Sequence, residues 1–83
     1  MSQKEKLLSK LFTKPKDFKW DELRNLLVGL GYRELEGSGS RVKFQNDELG
    51  SMINLHKPHP GNIVKSYVIE RVIEVLKEKG IRP

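Results

Sequence analysis

The chain has 83 residues and a formal net charge of +5 at pH 7, which suits one compact domain with a small core and favours an anionic partner such as nucleic acid or an acidic protein. It contains no cysteine, which excludes disulfides, thiolate nucleophiles and cysteine-based zinc sites and fits a reducing cytoplasm. No apolar run is long enough for a signal peptide or a membrane span, so we expect a cytoplasmic protein with no membrane partner.

The first predicted element is a basic amphipathic helix near the N-terminus. Apolar residues recur at helical spacing over about residues 3–13, and Pro15 ends the pattern. These apolar residues are Leu7, Leu8, Leu11 and Phe12. Residues 1–19 also hold six lysines against only two acidic residues. We interpret residues 1–15 as a helical extension whose lysines form either a solubilising surface or a secondary surface for an anion.

A second helix is predicted over about residues 18–30. Asp17 is the candidate N-cap, and Asp21 and Glu22 place negative charge beside the positive end of the helix dipole. Gly31 is the expected C-terminal stop. The apolar positions of this helix form one stripe, at Trp20, Leu23, Leu26, Leu27 and Leu30.

After the second helix the pattern changes to alternation, which predicts three short strands. The strands are "YRELE", "RVKF" and "SMINL", and the turns between them are "GSGS" and "QNDELGS". Tight turns between consecutive strands give an antiparallel meander. In the second strand, Val42 and Phe44 should face the helices, whereas Arg41 and Lys43 should face away.

Helical spacing returns after "HKPHPG" and predicts a last helix over about residues 63–79, with Asn62 as its N-cap and Gly80 as its stop. Its expected buried stripe is Val64, Tyr67, Val68, Val72, Val75 and Leu76. Helices segregated to one face of a small antiparallel sheet make a two-layer α+β fold. We therefore predict a single domain over residues 1–83, with a three-stranded antiparallel sheet, both later helices on one face of it, and an extra N-terminal helix.

Two histidines, His56 and His59, are the candidate catalytic residues. No carboxylate lies near them in the sequence to complete a metal site, so we expect no metal. Each ring either bonds a loop carbonyl or takes part in acid–base chemistry or phosphate contact, because imidazole exchanges protons near neutral pH. His59 is the stronger candidate, since it lies between two prolines just before the last helix, whereas His56 closes a strand.

Several polar and cationic residues suggest contacts to phosphate. Lys65 should lie in the first turn of the last helix, where free backbone N–H groups and the helix dipole favour an anion. In the "GSGS" turn the glycines suit a tight reversal, and its serines lie beside the two cations of the second strand. The candidate phosphate ligands are therefore Ser38, Ser40, Arg41, Lys43 and Lys65.

The run "DFKWDELRNLLVGLGYRELEGSGSRVKF", followed by "INLHKPHPGNIVKSYVIERVIEVLKEKG", resembles the HicA toxins of bacterial toxin–antitoxin pairs. The strongest parts of the resemblance are the "GSGS" entry to a strand and the "PHPG" entry to the last helix. It covers nearly the whole chain after about residue 17. It implies a fold like that of double-stranded-RNA-binding domains, cleavage of mRNA without a metal or another cofactor, and neutralisation by a HicB-type antitoxin.

The chain departs from the family pattern at Arg41. Family members commonly carry a histidine just after the Gly-Ser turn, and that histidine is their presumed catalytic residue. A guanidinium stays protonated at neutral pH, so arginine is a poor general base although it is a strong phosphate ligand. Three hypotheses follow: an endoribonuclease that uses His59 or His56 as its base, an RNA-binding module without cleavage, and a module that binds only an acidic, antitoxin-like protein.

Overall fold

The computed structural model describes residues 2–83, which form the predicted order of helix, helix, three strands and helix. The elements are α1 (Gln3–Phe12), α2 (Trp20–Gly29), β1 (Arg33–Glu36), β2 (Arg41–Asn46), β3 (Ser51–His56) and α3 (Ser66–Glu78). The longest helix, α3, has 13 residues. None of the helices in this part of the chain is long and apolar enough to cross a membrane.

The three strands form one antiparallel sheet in the order β1-β2-β3, which confirms the predicted meander. Val42 and Phe44 of β2 are buried, and their Cα partners on β3 are the buried Leu55 and Ile53. Arg41 and Lys43 alternate with them and are exposed. The helices pack on the buried side of the sheet, so the predicted α+β architecture is confirmed.

The core lies between the sheet and the apolar stripes of the helices. Leu23, Leu26 and Leu27 supply the stripe of α2, and the rings of Trp20 and Phe44 lie 6.0 Å apart between their centroids. Each fully buried side chain of this size stabilises the fold by about 1.5–3 kcal/mol relative to an exposed one. The helices therefore cover one face of the sheet, and a partner that binds the sheet must use the other face.

A short pairing of extended segments ties the starts of α2 and α3 together. Trp20 N–H donates to the carbonyl of Asn62 at 2.7 Å, and Val64 N–H donates to the carbonyl of Phe18 at 2.8 Å. Between these bonds Lys19 and Ile63 form an isolated antiparallel bridge. The N-termini of the two helices are therefore held side by side.

This pairing corrects both predicted N-caps. The N-cap of α2 is Lys19 rather than Asp17, and the N-cap of α3 is Lys65 rather than Asn62. The residues just before each helix are extended because their backbone groups bond to the other segment. As a result α3 begins at Ser66, three residues later than the sequence pattern predicts.

The later start of α3 also corrects its predicted stripe. The buried residues of α3 are Ile69, Val72, Ile73 and Leu76. Val64 is buried from the extended segment before the helix, and Val68 and Val75 are partly buried. Tyr67, which the pattern places in the core, is 67% exposed.

The N-terminal helix α1 packs on α2 and α3 through Leu7, Leu8 and Leu11. Lys10 fixes this helix by bonding the carboxylate of Glu22 at 3.0 Å. Glu22 also accepts a hydrogen bond from the N–H of Lys19 at 3.1 Å. Partial burial raises the pKa of Glu22, but the bonds from Lys10 and Lys19 outweigh burial, so the pKa lies below its ordinary value of 4.5.

The Glu22→Gln variant should therefore be less stable at pH 7, by about 0.5–1 kcal/mol, because it loses a half-exposed ion pair. The pKa of Glu22 is lower in the folded state than in the unfolded state, so its ionised carboxylate stabilises the fold in full at a pH above the ordinary pKa. This stabilisation is lost as the pH falls from the ordinary pKa through the lowered pKa of the folded state. Urea unfolding at several pH values should show the difference closing in acid. Glu48→Gln is the control, because Glu48 is exposed and forms no ion pair within residues 2–83. An equal loss in both variants would contradict the role of the ion pair.

Candidate functional site

The side of the sheet that faces away from the helices, here called the outer face, carries the side chains that alternate with the core residues. They are Arg33 and Leu35 of β1, Arg41, Lys43 and Gln45 of β2, and Met52, Asn54 and His56 of β3. Arg33 pairs with Asp47 at 3.1 Å, but Arg41 and Lys43 form no ion pair within the described chain. The centre of the outer face therefore presents two cations that are free to bind an anion.

A groove of about 610 Å³, the first groove, lies over this part of the outer face. Ser38, Arg41, Lys43, Asn54 and His56 are among its lining residues. It also has one acidic lining residue, Glu36, whose carboxylate bonds the ammonium of Lys57 at 3.3 Å. Because that acid already has a cationic partner, the charge left over in the groove is positive.

The "GSGS" segment makes the turn that the sequence predicts. Gly37 N–H donates to the carbonyl of Arg41 at 2.9 Å, and Arg41 N–H donates to the carbonyl of Ser38 at 3.3 Å. Gly39 has a φ of +66°, the left-handed conformation that glycine adopts without strain. The turn also brings Ser40 to the end of β3, where its carbonyl accepts a hydrogen bond from Lys57 N–H at 2.9 Å.

His56 lies directly across from Arg41 in the β2–β3 ladder. The bond from Lys57 to Ser40 flanks this pair, so the two residues form a non-hydrogen-bonded pair, the type in which side chains are closest. The Nδ1 atom of His56 also hydrogen-bonds the hydroxyl of Ser40 at 3.3 Å. His56 and Arg41 therefore stand opposite each other at the end of the sheet, and Nε2 is the ring nitrogen of His56 that the Ser40 contact leaves for a ligand.

A smaller groove of about 240 Å³, the second groove, lies between the end of β3 and the start of α3. His59, Lys65 and Tyr67 line it. Ser40 and His56 also line it, and His56 lines the first groove as well. The two grooves are therefore neighbours that share His56, which stands between the cations of the outer face and Lys65 at the start of α3.

The structure divides the predicted site residues between the two grooves. Ser38, Arg41 and Lys43 line the first groove, whereas Ser40, His59 and Lys65 line the second. Among residues 2–83 no three His, Asp or Glu side chains come close enough together to hold a metal ion. Lys65 is the N-cap of α3 instead of a residue of its first turn, because the helix begins at Ser66.

Tyr67 lines the second groove, and the sequence pattern did not predict it as a candidate site residue. The pattern assigned it to the buried stripe of a helix that began near residue 63. A better signal was present, because Ile69, Val72, Ile73 and Leu76 keep strict helical spacing and Tyr67 does not fit it.

The remaining charges near the site are paired along the edge of β1. Arg24 donates to the carboxylate of Glu34 at 2.8 Å, and this hydrogen bond raises the pKa of the Arg24 guanidinium. Since Glu36 bonds Lys57 in the same region, both acidic residues of β1 already have cationic partners. Arg41 and Lys43 of the first groove are therefore not paired with either of these carboxylates.

The comparisons with known proteins give one match. The family model for the HicA toxin of bacterial toxin–antitoxin systems matches residues 20–81, from the first residue of α2 to beyond the end of α3. Neither the curated proteins nor the solved structures give a match. The α1 helix lies outside the matched range. The match covers both grooves and every strand, and the chain therefore belongs to the HicA family, the toxins of bacterial toxin–antitoxin pairs.

Proposed function

We propose that this toxin is an endoribonuclease that cleaves mRNA in the cytoplasm without a metal ion, and that the RNA lies along the outer face. The observation that carries the proposal is the first groove, where two cations without ionic partners and one imidazole meet. Cations that neutralise phosphates supply most of the affinity for a nucleic acid. The membership of the HicA family supports the same activity through the resemblance described above.

Arg41 and Lys43 are the proposed phosphate ligands. They lie two residues apart on β2, so their side chains project from the same face of the sheet. The guanidinium of Arg41 can donate two parallel hydrogen bonds to one phosphate, whereas Lys43 acts as a compact charge. The hydroxyl of Ser38 at the edge of the groove is a further donor to the same strand of RNA.

The proposed reaction uses the RNA itself as the nucleophile. A general base takes the proton from a 2′-hydroxyl, and the oxygen attacks the adjacent phosphorus. The 5′-oxygen leaves with a proton supplied by water or by a second imidazole, and a 2′,3′-cyclic phosphate remains. Arg41 and Lys43 stabilise the negative charge that builds up on the phosphate oxygens during this step.

The geometry favours His56 over His59 as the base. His56 is paired with Arg41 across the ladder and lines the first groove, whereas His59 lines only the second groove. The family histidine is expected at the position of Arg41, so His56 brings an imidazole to the same place from the neighbouring strand. The sequence pattern favours His59 over His56 as the catalytic residue, and the proposal reverses that preference. His59 becomes the candidate acid that protonates the leaving 5′-oxygen.

A second candidate function is RNA binding without cleavage, and the observation that favours it is Arg41 itself. A guanidinium at the expected catalytic position keeps the affinity for phosphate but cannot accept a proton at neutral pH.

We further propose that the antitoxin is of the HicB type and covers the outer face with acidic groups. In that case the antitoxin and RNA compete for the same two cations.

Replacing His56 with Ala should lower the cleavage rate by about 10²–10⁴-fold, because a general base contributes that much, while RNA binding and thermal stability change little. The measurement is cleavage of a labelled RNA by the purified protein in the presence of EDTA. His59→Ala is the matched comparison and should cause the smaller loss. If His59→Ala abolishes cleavage and His56→Ala does not, the order of the two histidines is the reverse. If the parental protein binds RNA and never cleaves it, the binding-only function holds.

The Arg41→Ala, Lys43→Ala double variant should bind RNA more weakly and with a shallower salt dependence. Losing two phosphate contacts on a single strand should reduce the slope of log K against log salt by roughly 1.4. The measurement is a salt titration of binding to a single-stranded RNA. The control is Lys4→Ala, Lys6→Ala, which removes the same charge from α1. If only the control changes the slope, RNA binds at α1 and the outer face is not the site.

A further inference from the structure

We propose that Tyr67 is a stacking platform for one nucleobase of single-stranded RNA, in the second groove beside the phosphate held in the first. This inference rests on the proposed function and adds a base-binding subsite to it. The ring of Tyr67 supplies the stacking surface, and Lys65 supplies a nearby cation.

The exposure of Tyr67 is the first reason for the proposal. The chain has six aromatic residues. Phe18, Trp20, Tyr32 and Phe44 are buried, and Phe12 packs against the core. Tyr67 alone is 67% exposed. An aromatic ring that stays exposed leaves its flat face free to stack on a ligand.

The surroundings of Tyr67 suit a planar, electron-rich ligand in an anionic chain. The apolar side chains of Val64 and Val68 line the same groove, and Lys65 and His59 supply polar and cationic groups. No acidic residue of the described chain lines the second groove. Its volume of about 240 Å³ is below the ~300–1,000 Å³ of pockets that enclose a drug-sized ligand, and it suits a single base.

The position of the second groove relative to the first is the second reason. His56 lines both grooves, and Ser40, which bonds His56, lines the second, so an RNA strand whose phosphate contacts Arg41 can continue past His56 and place a neighbouring base against Tyr67. Proteins that bind single-stranded nucleic acids combine such a cationic groove with aromatic rings on which bases stack. Stacking of this kind accepts any base, since every base has a flat face.

The test is the affinity of the whole protein for a short single-stranded RNA with 2′-O-methyl groups, which cannot be cleaved through the 2′-oxygen. Tyr67→Ala should weaken binding by about 5- to 150-fold, which is the loss expected for one stacked base. Tyr67→Phe should keep an affinity close to the parental one, because the ring remains. Val28→Ala is the control, since Val28 is also exposed, at 50%, but lies on α2 away from both grooves.

A set of RNAs with one abasic nucleotide moved along the strand makes the test specific for a base. At one position the missing base should weaken binding to the parental protein and have no effect on Tyr67→Ala. Unchanged RNA affinity in Tyr67→Ala overturns this inference alone, and a loss confined to antitoxin binding does the same by assigning the ring to the protein partner. An equal loss in Tyr67→Phe also overturns it. If the parental protein binds no RNA, the proposed function itself fails.

Discussion

The alternation of β2, the central strand, is the constraint on which the rest of the structure depends. Because side chains alternate along a strand, burying Val42 and Phe44 under the helices forces Arg41 and Lys43 onto the other side. A shift of the register by one residue would bury two charges and expose a phenylalanine ring, which costs several kcal/mol in a small core. The core therefore fixes the cations of the outer face as firmly as it fixes its own apolar residues.

The candidate site lies at the end of the β2–β3 ladder, where the register brings residues of the turn and of both strands together. The turn before β2 contributes Ser40, the strand contributes Arg41, and β3 contributes His56. None of these side chains is buried, so their arrangement depends on backbone hydrogen bonds and on the Ser40 hydroxyl. A hydrogen-bonded partner on Nδ1 orients the imidazole, which is the usual way in which proteins set the role of the other ring nitrogen.

The sequence predicted the fold well because the relevant signals are local. The alternation around Val42 and the helical spacing around Leu23 each lie within a few residues, and both were confirmed. The predicted N-caps of α2 and α3 were wrong for a different reason. Lys19 and Lys65 became N-caps because residues 18–20 and 62–64 pair with each other, and a bond between distant segments leaves no periodic pattern in the sequence. The contact of Ser40 with His56 could not be predicted from the sequence for the same reason, because it depends on which residues of two strands face each other.

The bridge between Lys19 and Ile63 has a consequence for how the protein is made on the ribosome. The α1–α2 pair and the strand meander join segments that are close in the chain, so they can form early with little loss of chain entropy. The bridge joins segments on either side of the whole sheet, and α3 follows it. We expect the second groove to form only when the chain is almost complete. A nascent or truncated toxin that ends before α3 therefore lacks Tyr67 and the second groove, together with the four core residues that α3 supplies.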